Sequence, residues 1–328
     1  MYNDKIILIT GGTGSWGNEL TKQLLEKYNP KEIRIYSRGE LAQVIMKRKF
    51  NSNKLKFIIG DVRSLNRMNE AMHNVDIVFH LAALKHVPVC EDNAWESVNT
   101  NIIGVENVIR SAISNNVNIV CDISTDKACN PLNQYGACKS VGEKLMISAN
   151  NRDNNLNTKF VCVRAGNVIG SNGSVIPFFE DLAKKHKVLP ITDINMTRYF
   201  MTLPQAITMV FKAVSDSKGG EIFVTKMPAA NIKDLAEVIW SHYNDEPMKY
   251  EVIGARSGEK QHEMLVSEHE SKTTISDFEF NIILPMNYQH VLAWQGYPLM
   301  KDESYTSNQN IMNKHEIKSM LQDAGYLK

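Results

Sequence analysis

A chain of 328 residues can bury a large core and is expected to fold as two lobes. Its 37 lysines and arginines nearly balance 36 aspartates and glutamates, which removes any broad electrostatic case for a nucleic-acid or anionic-membrane partner. No apolar stretch is long enough to span a bilayer, and the polar first residues lead into a strand-like run instead of a secretory leader.

Residues 5–10, Lys-Ile-Ile-Leu-Ile-Thr, form the short apolar run expected of a buried parallel strand. Gly11, Gly12, Thr13, Gly14, Ser15, Trp16 and Gly17 follow at once, and a helical pattern continues through Leu20, Leu24 and Leu25. Glycines in such a turn let the backbone approach a pyrophosphate, and the helix amino terminus adds N–H groups and positive dipole. The spacing is Gly-x-x-Gly-x-x-Gly; its position between strand and helix makes it a dinucleotide fingerprint. A second strand, residues 32–37, ends in Tyr36-Ser37-Arg38 with no acid to take a ribose 2′-hydroxyl. A hydroxyl and a guanidinium suit a 2′-phosphate, so the expected cofactor is NADP.

The α/β alternation continues. A third strand at 55–60 runs into Asp61, a candidate for the adenine amino group, and Val62. A fourth at 76–80 leads into Ala82, Ala83 and Lys85, where small residues let the backbone pass under a cofactor. A long helical pattern covers about 94–115, and a fifth strand covers 118–123. The pattern predicts an α/β fold, a Rossmann-like doubly wound parallel sheet whose sites lie at the carboxyl ends of the strands.

Ser124-Thr125-Asp126-Lys127 leaves that fifth strand, followed by Tyr135 and Lys139. If Tyr135 opens a helix, Lys139 lies one turn on, on the same face. An ammonium there would favour the phenolate and lower the tyrosine pKa towards neutrality, giving a general base for a hydroxyl. A Tyr-x-x-x-Lys pair alone is common by chance; downstream of a nucleotide fingerprint it gains meaning. Cys90, Cys121, Cys129, Cys138 and Cys162 are odd in number, lack metal-type spacing and read as reduced cytosolic core thiols; no metal site is expected. An Asn-rich loop is expected near 150–157. Beyond it, helices are expected at 204–215 and 232–244, with a strand at 221–225 between them. A last helix is signalled by Asn313, Glu316, Ile317, Met320, Leu321 and Gly325. Asn167, Arg198, Arg256 and Glu259, with glycine turns around Gly173 and Gly258, suggest a nucleotide site in the carboxyl-terminal half.

These segments carry a resemblance. Thr10-Gly-Gly-Thr-Gly-Ser-Trp-Gly17, Tyr36-Ser-Arg38, Gly60-Asp-Val-Arg63, Ala82-Ala-Leu-Lys-His-Val-Pro88, Ser124-Thr-Asp-Lys-Ala-Cys-Asn-Pro131, Tyr135-Gly-Ala-Cys-Lys139, Gly166-Asn-Val-Ile-Gly170, Gly173-Ser-Val-Ile-Pro177, Thr192-Asp-Ile-Asn-Met-Thr-Arg198, Gly220-Glu-Ile-Phe-Val224 and Arg256-Ser-Gly-Glu-Lys260 run over nearly the whole chain. Together they resemble the extended short-chain dehydrogenases/reductases, specifically the inverting UDP-N-acetylglucosamine 4,6-dehydratases of pseudaminic acid synthesis and their polysaccharide-biosynthesis relatives. Asp126-Lys127 is the most specific element. Trp16, Gly39, Ala165 and Ser257 depart from the family pattern without removing a group that the chemistry needs.

The resemblance implies NADP, a UDP-N-acetylglucosamine substrate and a homo-oligomer, a dimer or hexamer. It implies a nucleotide domain of residues 1–166 plus 204–226 and a substrate lobe of 167–203 plus 227–328. Tyr135, held by Lys139, would take the C4 hydroxyl proton, with Thr125 or Ser124 bonding that oxygen. Lys127, as a neutral amine with a depressed pKa, would remove the C5 proton, and Asp126 would protonate the departing C6 hydroxyl. Reprotonation of C5 from the opposite face, by Asp126, Tyr135 or water, would give the L-arabino 4-keto sugar. Lys85, Asn167, Ser174, Val175, Thr192, Arg198, Arg256 and Glu259 are the implied substrate contacts. A UDP-N-acetylglucosamine 4-epimerase would need Tyr135 and Lys139 but not Asp126 and Lys127; a retaining 4,6-dehydratase is a third enzyme reading. A nucleotide-sensing binding protein would be expected to have lost the tyrosine or lysine.

Overall fold

The computed structural model describes residues 1–155, 157–170, 175–285 and 293–327. Its amino-terminal half alternates as its hydrophobic runs require: β1 (Ile6–Thr10), α1 (Ser15–Lys27), β2 (Glu32–Ser37), α2 (Glu40–Phe50), β3 (Leu55–Ile59), α3 (Leu65–Ala71) and β4 (Ile77–His80). The expected long helix is a broken path. Preceded by α4 (Val87–Asp92), it comprises α5 (Ala94–Val98), a π-helical turn at Asn99–Ile103 and α6 (Gly104–Ser114). Strand β5 (Ile119–Thr125) passes through a 3₁₀ turn, Asp126–Ala128, towards α7 (Gln134–Ala149), and β6 (Lys159–Ala165) follows.

The second half interleaves sheet strands with the lobe: β7 (Asn167–Ile169), α8 (Val175–Lys184), β8 (Leu189–Ile191), β9 (Thr197–Thr202), α9 (Leu203–Asp216), β10 (Ile222–Thr225) and β11 (Ala229–Asn231). Then come α10 (Ile232–Tyr243), β12 (Tyr250–Val252), β13 (Met264–Val266), α11 (Glu268–Ser271), β14 (Thr274–Ser276), β15 (Phe280–Ile283), β16 (Tyr305–Thr306) and α12 (Lys314–Asp323).

Among the described residues the main sheet has nine strands in the order β14-β15-β10-β6-β5-β4-β1-β2-β3. From β3 to β10 every pairing is parallel, whereas β15 and β14 add an antiparallel edge. Residues 274–283, expected in the substrate lobe, therefore extend the nucleotide-domain sheet. Strand order reverses between β1 and β4, so the chain leaves these two strands in opposite directions and opens a crevice at their carboxyl ends. Apolar clusters cover both faces of the sheet, one including Leu8, Val78, Val108 and Val120 and the other Ile7, Ile9, Phe79 and Phe223. Two-sided burial explains why these strands read as continuous apolar runs; each such aliphatic side chain contributes roughly 1.5–3 kcal/mol.

The lobe has its own core, in which Phe179, Leu189, Ile239, Trp240, Ile317 and Leu321 bring together α8, β8, α10 and α12. The last helix begins where its sequence predicts, with Asn313 and Glu316 in a reciprocal capping box, and Gly325 follows it at φ +80°. All five cysteines are free and buried.

Candidate active site

The crevice is part of a continuous cavity of about 1110 Å³ that runs from the glycine turn into the lobe. At Gly11 the backbone has φ +65°, and a β-carbon would stand 2.8 Å from the amide nitrogen of Ala82. The glycine thus permits both the turn and the close passage of the segment after β4. Thr13, Gly14, Ser15, Trp16 and Gly17 line the same wall. Residues 15–17 form the amino-terminal turn of α1, whose N-cap, Gly14, supplies no side-chain acceptor. Its free N–H groups make a cradle for an anion.

Ser37, Arg38, Asp61 and Val62 lie together at one end of the cavity. Arg38 is exposed. Ser37 Oγ accepts a 3.0 Å hydrogen bond from Gln43, which leaves its hydrogen to donate elsewhere. Burial opposes the Asp61 charge, but hydrogen bonds from Arg63 at 2.6 and 2.9 Å hold the carboxyl below its ordinary value. Ala82, Ala83 and Lys85 continue the wall, and burial lowers the Lys85 amine.

Helix α7 packs directly on the turn after β5. A β-carbon at Gly136 would stand 2.2 Å from the carbonyl oxygen of Lys127, so only glycine lets Tyr135 and Lys127 come to one wall. Asn133 caps this helix through the Gly136 amide and donates to the Gly258 carbonyl at 2.9 Å. That bond ties the turn carrying Arg256 and Glu259 to the start of α7. Thr125, Lys127 and Tyr135 line the cavity; Asp126 and Lys139 lie behind it, 1% and 2% exposed.

The electrostatics differ from the sequence expectation at both bases. Burial raises the Tyr135 phenol above its ordinary value, although Lys139, Lys127 and its hydrogen bond with Thr125 work against it. Lys139 does not aim its charge at the phenol alone. Its ammonium is paired with buried Asp122 at 3.0 Å, and the amine is raised. Burial by itself would lower the Lys127 amine, as expected, but Asp126 at 2.9 Å and Glu263 at 3.6 Å hold it well above the ordinary lysine value. The sequence reading missed two anions, Asp122 and Glu263.

Two hydroxyls divide their roles. Thr125 Oγ1 donates to Asp126 Oδ1 at 2.9 Å and accepts from the Lys127 amide at 3.4 Å. The buried Ser124 hydroxyl borders the cavity with no hydrogen-bond partner among the described residues, as do Asp126 Oδ2 and Glu263 Oε2 in the wall behind. Of the expected substrate contacts, Asn167, Val175, Thr192, Arg198, Arg256 and Glu259 reach the cavity, as Lys85 does. Ser174 and Gly173 lie outside the described residues. Arg198 is 8% exposed, and Nη1 donates to the carbonyls of Thr197 and Gln261, which departs from an open phosphate ligand. Arg256 is exposed. Phe178 and Pro190, which lie in no motif, and Met196 add apolar wall.

The sequence profile of the family described as "Polysaccharide biosynthesis protein" matches residues 7–284. This chain belongs to that family. It is 46% identical over 286 residues to a Campylobacter jejuni protein named UDP-N-acetylglucosamine 4,6-dehydratase (inverting), which covers 87% of this chain and 84% of that one. A Rickettsia bellii protein named UDP-glucose 4-epimerase is 41% identical, covering 100% of this chain and 98% of its own length. The X-ray structure of Pen from Bacillus thuringiensis superposes with a TM-score of 0.90 at 37% identity, covering 98% and 99%. Dehydratase and epimerase names thus both occur among relatives of the family, and the site chemistry has to separate them.

Proposed function

We propose that the protein is an inverting UDP-N-acetylglucosamine 4,6-dehydratase, a hydro-lyase that forms UDP-2-acetamido-2,6-dideoxy-β-L-arabino-hex-4-ulose for surface-glycan synthesis. The carrying observation is the Asp126–Lys127 pair, 2.9 Å apart at the end of β5 and beside Tyr135. An epimerase acting only at C4 requires no such acid and base. The relative named as an inverting dehydratase supports the same reading.

The glycine cradle and the Ser37–Arg38 corner fit NADP. When bound, its nicotinamide supplies reversible hydride transfer. The chain's own residues do the rest. Tyr135 accepts the C4 hydroxyl proton; the pairing of Lys139 with Asp122 keeps a fixed cation near the phenol while tempering its pull. Ser124, whose hydroxyl lacks a partner among the described residues, is better placed than Thr125 to hold the C4 oxygen. A C4 ketone acidifies the C5 proton, which Lys127 removes. Moving one proton from the Lys127 ammonium to the Asp126 carboxylate yields a neutral amine and a carboxylic acid together. These are the base for C5 and the acid for the C6 hydroxyl, which leaves as water. This shift needs little movement, since the donor and acceptor are already hydrogen-bonded.

Arg256 and Glu259 at the far end suit the uridine diphosphate, and Arg198 supports the wall between them and the catalytic turn. Trp95, Ile103 and Val141 are exposed on the helices flanking the sheet, which supports a homo-oligomer packed through them. Incubation with UDP-N-acetylglucosamine, followed by NMR, tests the function. A C6 methyl signal with L-arabino ring couplings is expected. UDP-N-acetylgalactosamine would instead establish the epimerase, and early D-xylo product would remove inversion.

A further inference from the structure

Glu263, which precedes β13, belongs to no motif, yet it stands in the catalytic wall. One oxygen, Oε1, lies 3.6 Å from Lys127 Nζ and 3.5 Å from Arg198 Nε. Its other oxygen is buried without a hydrogen-bond partner among the described residues. The carboxylate is not free to wander: the Glu263 N–H donates to Ser307 Oγ at 2.8 Å, and the Glu263 carbonyl accepts from the Ser307 amide at 2.8 Å. Asp126 already pairs with Lys127 at 2.9 Å, so a second buried carboxylate is unnecessary for holding the lysine. Burying an ion costs several kcal/mol unless it is paired, and the described cations within salt-bridge distance of this one are Lys127 and Arg198.

The groups facing Lys127 are Asp126 from its own turn, Tyr135 from α7, Arg198 from β9 and Glu263. Tyr199, also from β9, has a buried hydroxyl without a partner among the described residues and lies in the field of Asp126 and Glu263. The four charges of Lys127, Arg198, Asp126 and Glu263 sum to zero at rest. During elimination Lys127 gains the C5 proton while Asp126 still holds the proton it will give to the leaving hydroxyl. One lone pair on Nζ becomes an N–H bond, the C5–H electrons form the C5–C6 double bond, and the C6–O bond breaks with its electrons on oxygen. A positive charge develops on Nζ while Asp126 is still neutralised.

We propose that Glu263 is a positioning residue for elimination, its fixed carboxylate stabilising the ammonium that forms on Lys127 as it takes the C5 proton. The role rests on the dehydratase reading above. It explains the doubled anion: Asp126 carries no charge until it releases its proton to the leaving hydroxyl, and Glu263 is the counter-charge present throughout. Lysine in this position keeps its charge in the free enzyme for the same reason.

The test uses the full chain with Glu263→Gln, which keeps size and removes charge, and Glu263→Asp, which keeps charge. The ¹³Cε resonance of Lys127, assigned by its loss in Lys127→Arg, is titrated by NMR without substrate. Glu263→Gln is expected to move the Lys127 titration to lower pH by one unit or more, a tenfold change in the neutral fraction at fixed pH. The alkaline rise of elimination should move down in parallel, and its plateau should fall about tenfold or more; Glu263→Asp should restore the position of the rise. An unmoved Lys127 titration in Glu263→Gln overturns the proposal. So does a lower plateau with an unmoved rise, the signature of a structural defect alone. Should the wild-type protein make no C6-deoxy sugar, the dehydratase reading falls, while the NMR titration still decides whether Glu263 controls the Lys127 charge.

Discussion

Tyr135 and Lys127 line one wall but serve different halves of the proposed reaction, and their environments make the distinction testable. Tyr135→Phe removes the group that accepts the C4 hydroxyl proton, so neither C4 ketone nor C6-deoxy product should form. Lys127→Ala leaves Tyr135, Lys139 and Asp122 in place; a 4-keto sugar that retains its C6 hydroxyl should be trapped by borodeuteride. Each loss should be roughly a hundred- to ten-thousand-fold. Near-normal C6-deoxy product from Lys127→Ala would remove Lys127 as the base. The gathering of Tyr135, Asp126 and Lys127 at one place was readable because motif spacing and strand order mark them. Their ionisation was not, because Asp122 and Glu263 arrive from elsewhere in the fold. Asp122 left one trace, a lone acid inside an apolar strand, where a buried charge needs a partner. Glu263 left none.

At the scale of elements, one buried arginine fastens the catalytic helix to the sheet. Arg164 on β6 is 1% exposed and donates to Glu143 on α7 at 2.7 Å and to Glu270 on α11 at 2.8 Å. Glu270 also accepts from the Ser267 backbone N–H at 3.0 Å, closing a capping box on α11. Burial opposes the Glu270 charge, but Arg164 and Ser267 pull its carboxyl down to about 2 from an ordinary 4.5. A depressed folded-state pKa gives stability that is full above the unfolded value and is lost as pH falls through the folded one. The contribution is therefore complete above about pH 5 and disappears towards pH 2, amounting to about 2–3 kcal/mol. Glu270→Gln should lower the urea midpoint at pH 7 and flatten the loss of stability between pH 5 and pH 2. An acid limb as steep as in the wild-type protein would show that Glu270 is not its source. Strands and helices themselves were legible, since buried parallel strands and capped helices leave local patterns. The π-helical turn at Asn99–Ile103 and the antiparallel edge of β14 and β15 were not, because each depends on tertiary pairing.

Across the whole molecule, the cavity joins two places proposed to bind phosphate by different means. At the lobe end Arg256 and Glu259 stand on a turn tied to α7. At the far end Arg38 is exposed beside Ser37, and no acid at the end of β2 competes for the ribose. Asp61, the nearby acid, is engaged by Arg63 and so is poorly placed to bind a 2′-hydroxyl. A guanidinium at this corner has no partner in NAD but meets a dianionic phosphate in NADP. The purified protein should therefore release NADP on denaturation. Arg38→Ala should weaken NADP retention about ten- to a hundredfold, the scale of one charge-assisted hydrogen bond, and change NAD retention little. Chromatography of the released nucleotide and calorimetric titration of the emptied protein measure both. Recovery of NAD alone, or equal losses for the two nucleotides, would assign the Ser37–Arg38 corner a role other than 2′-phosphate recognition.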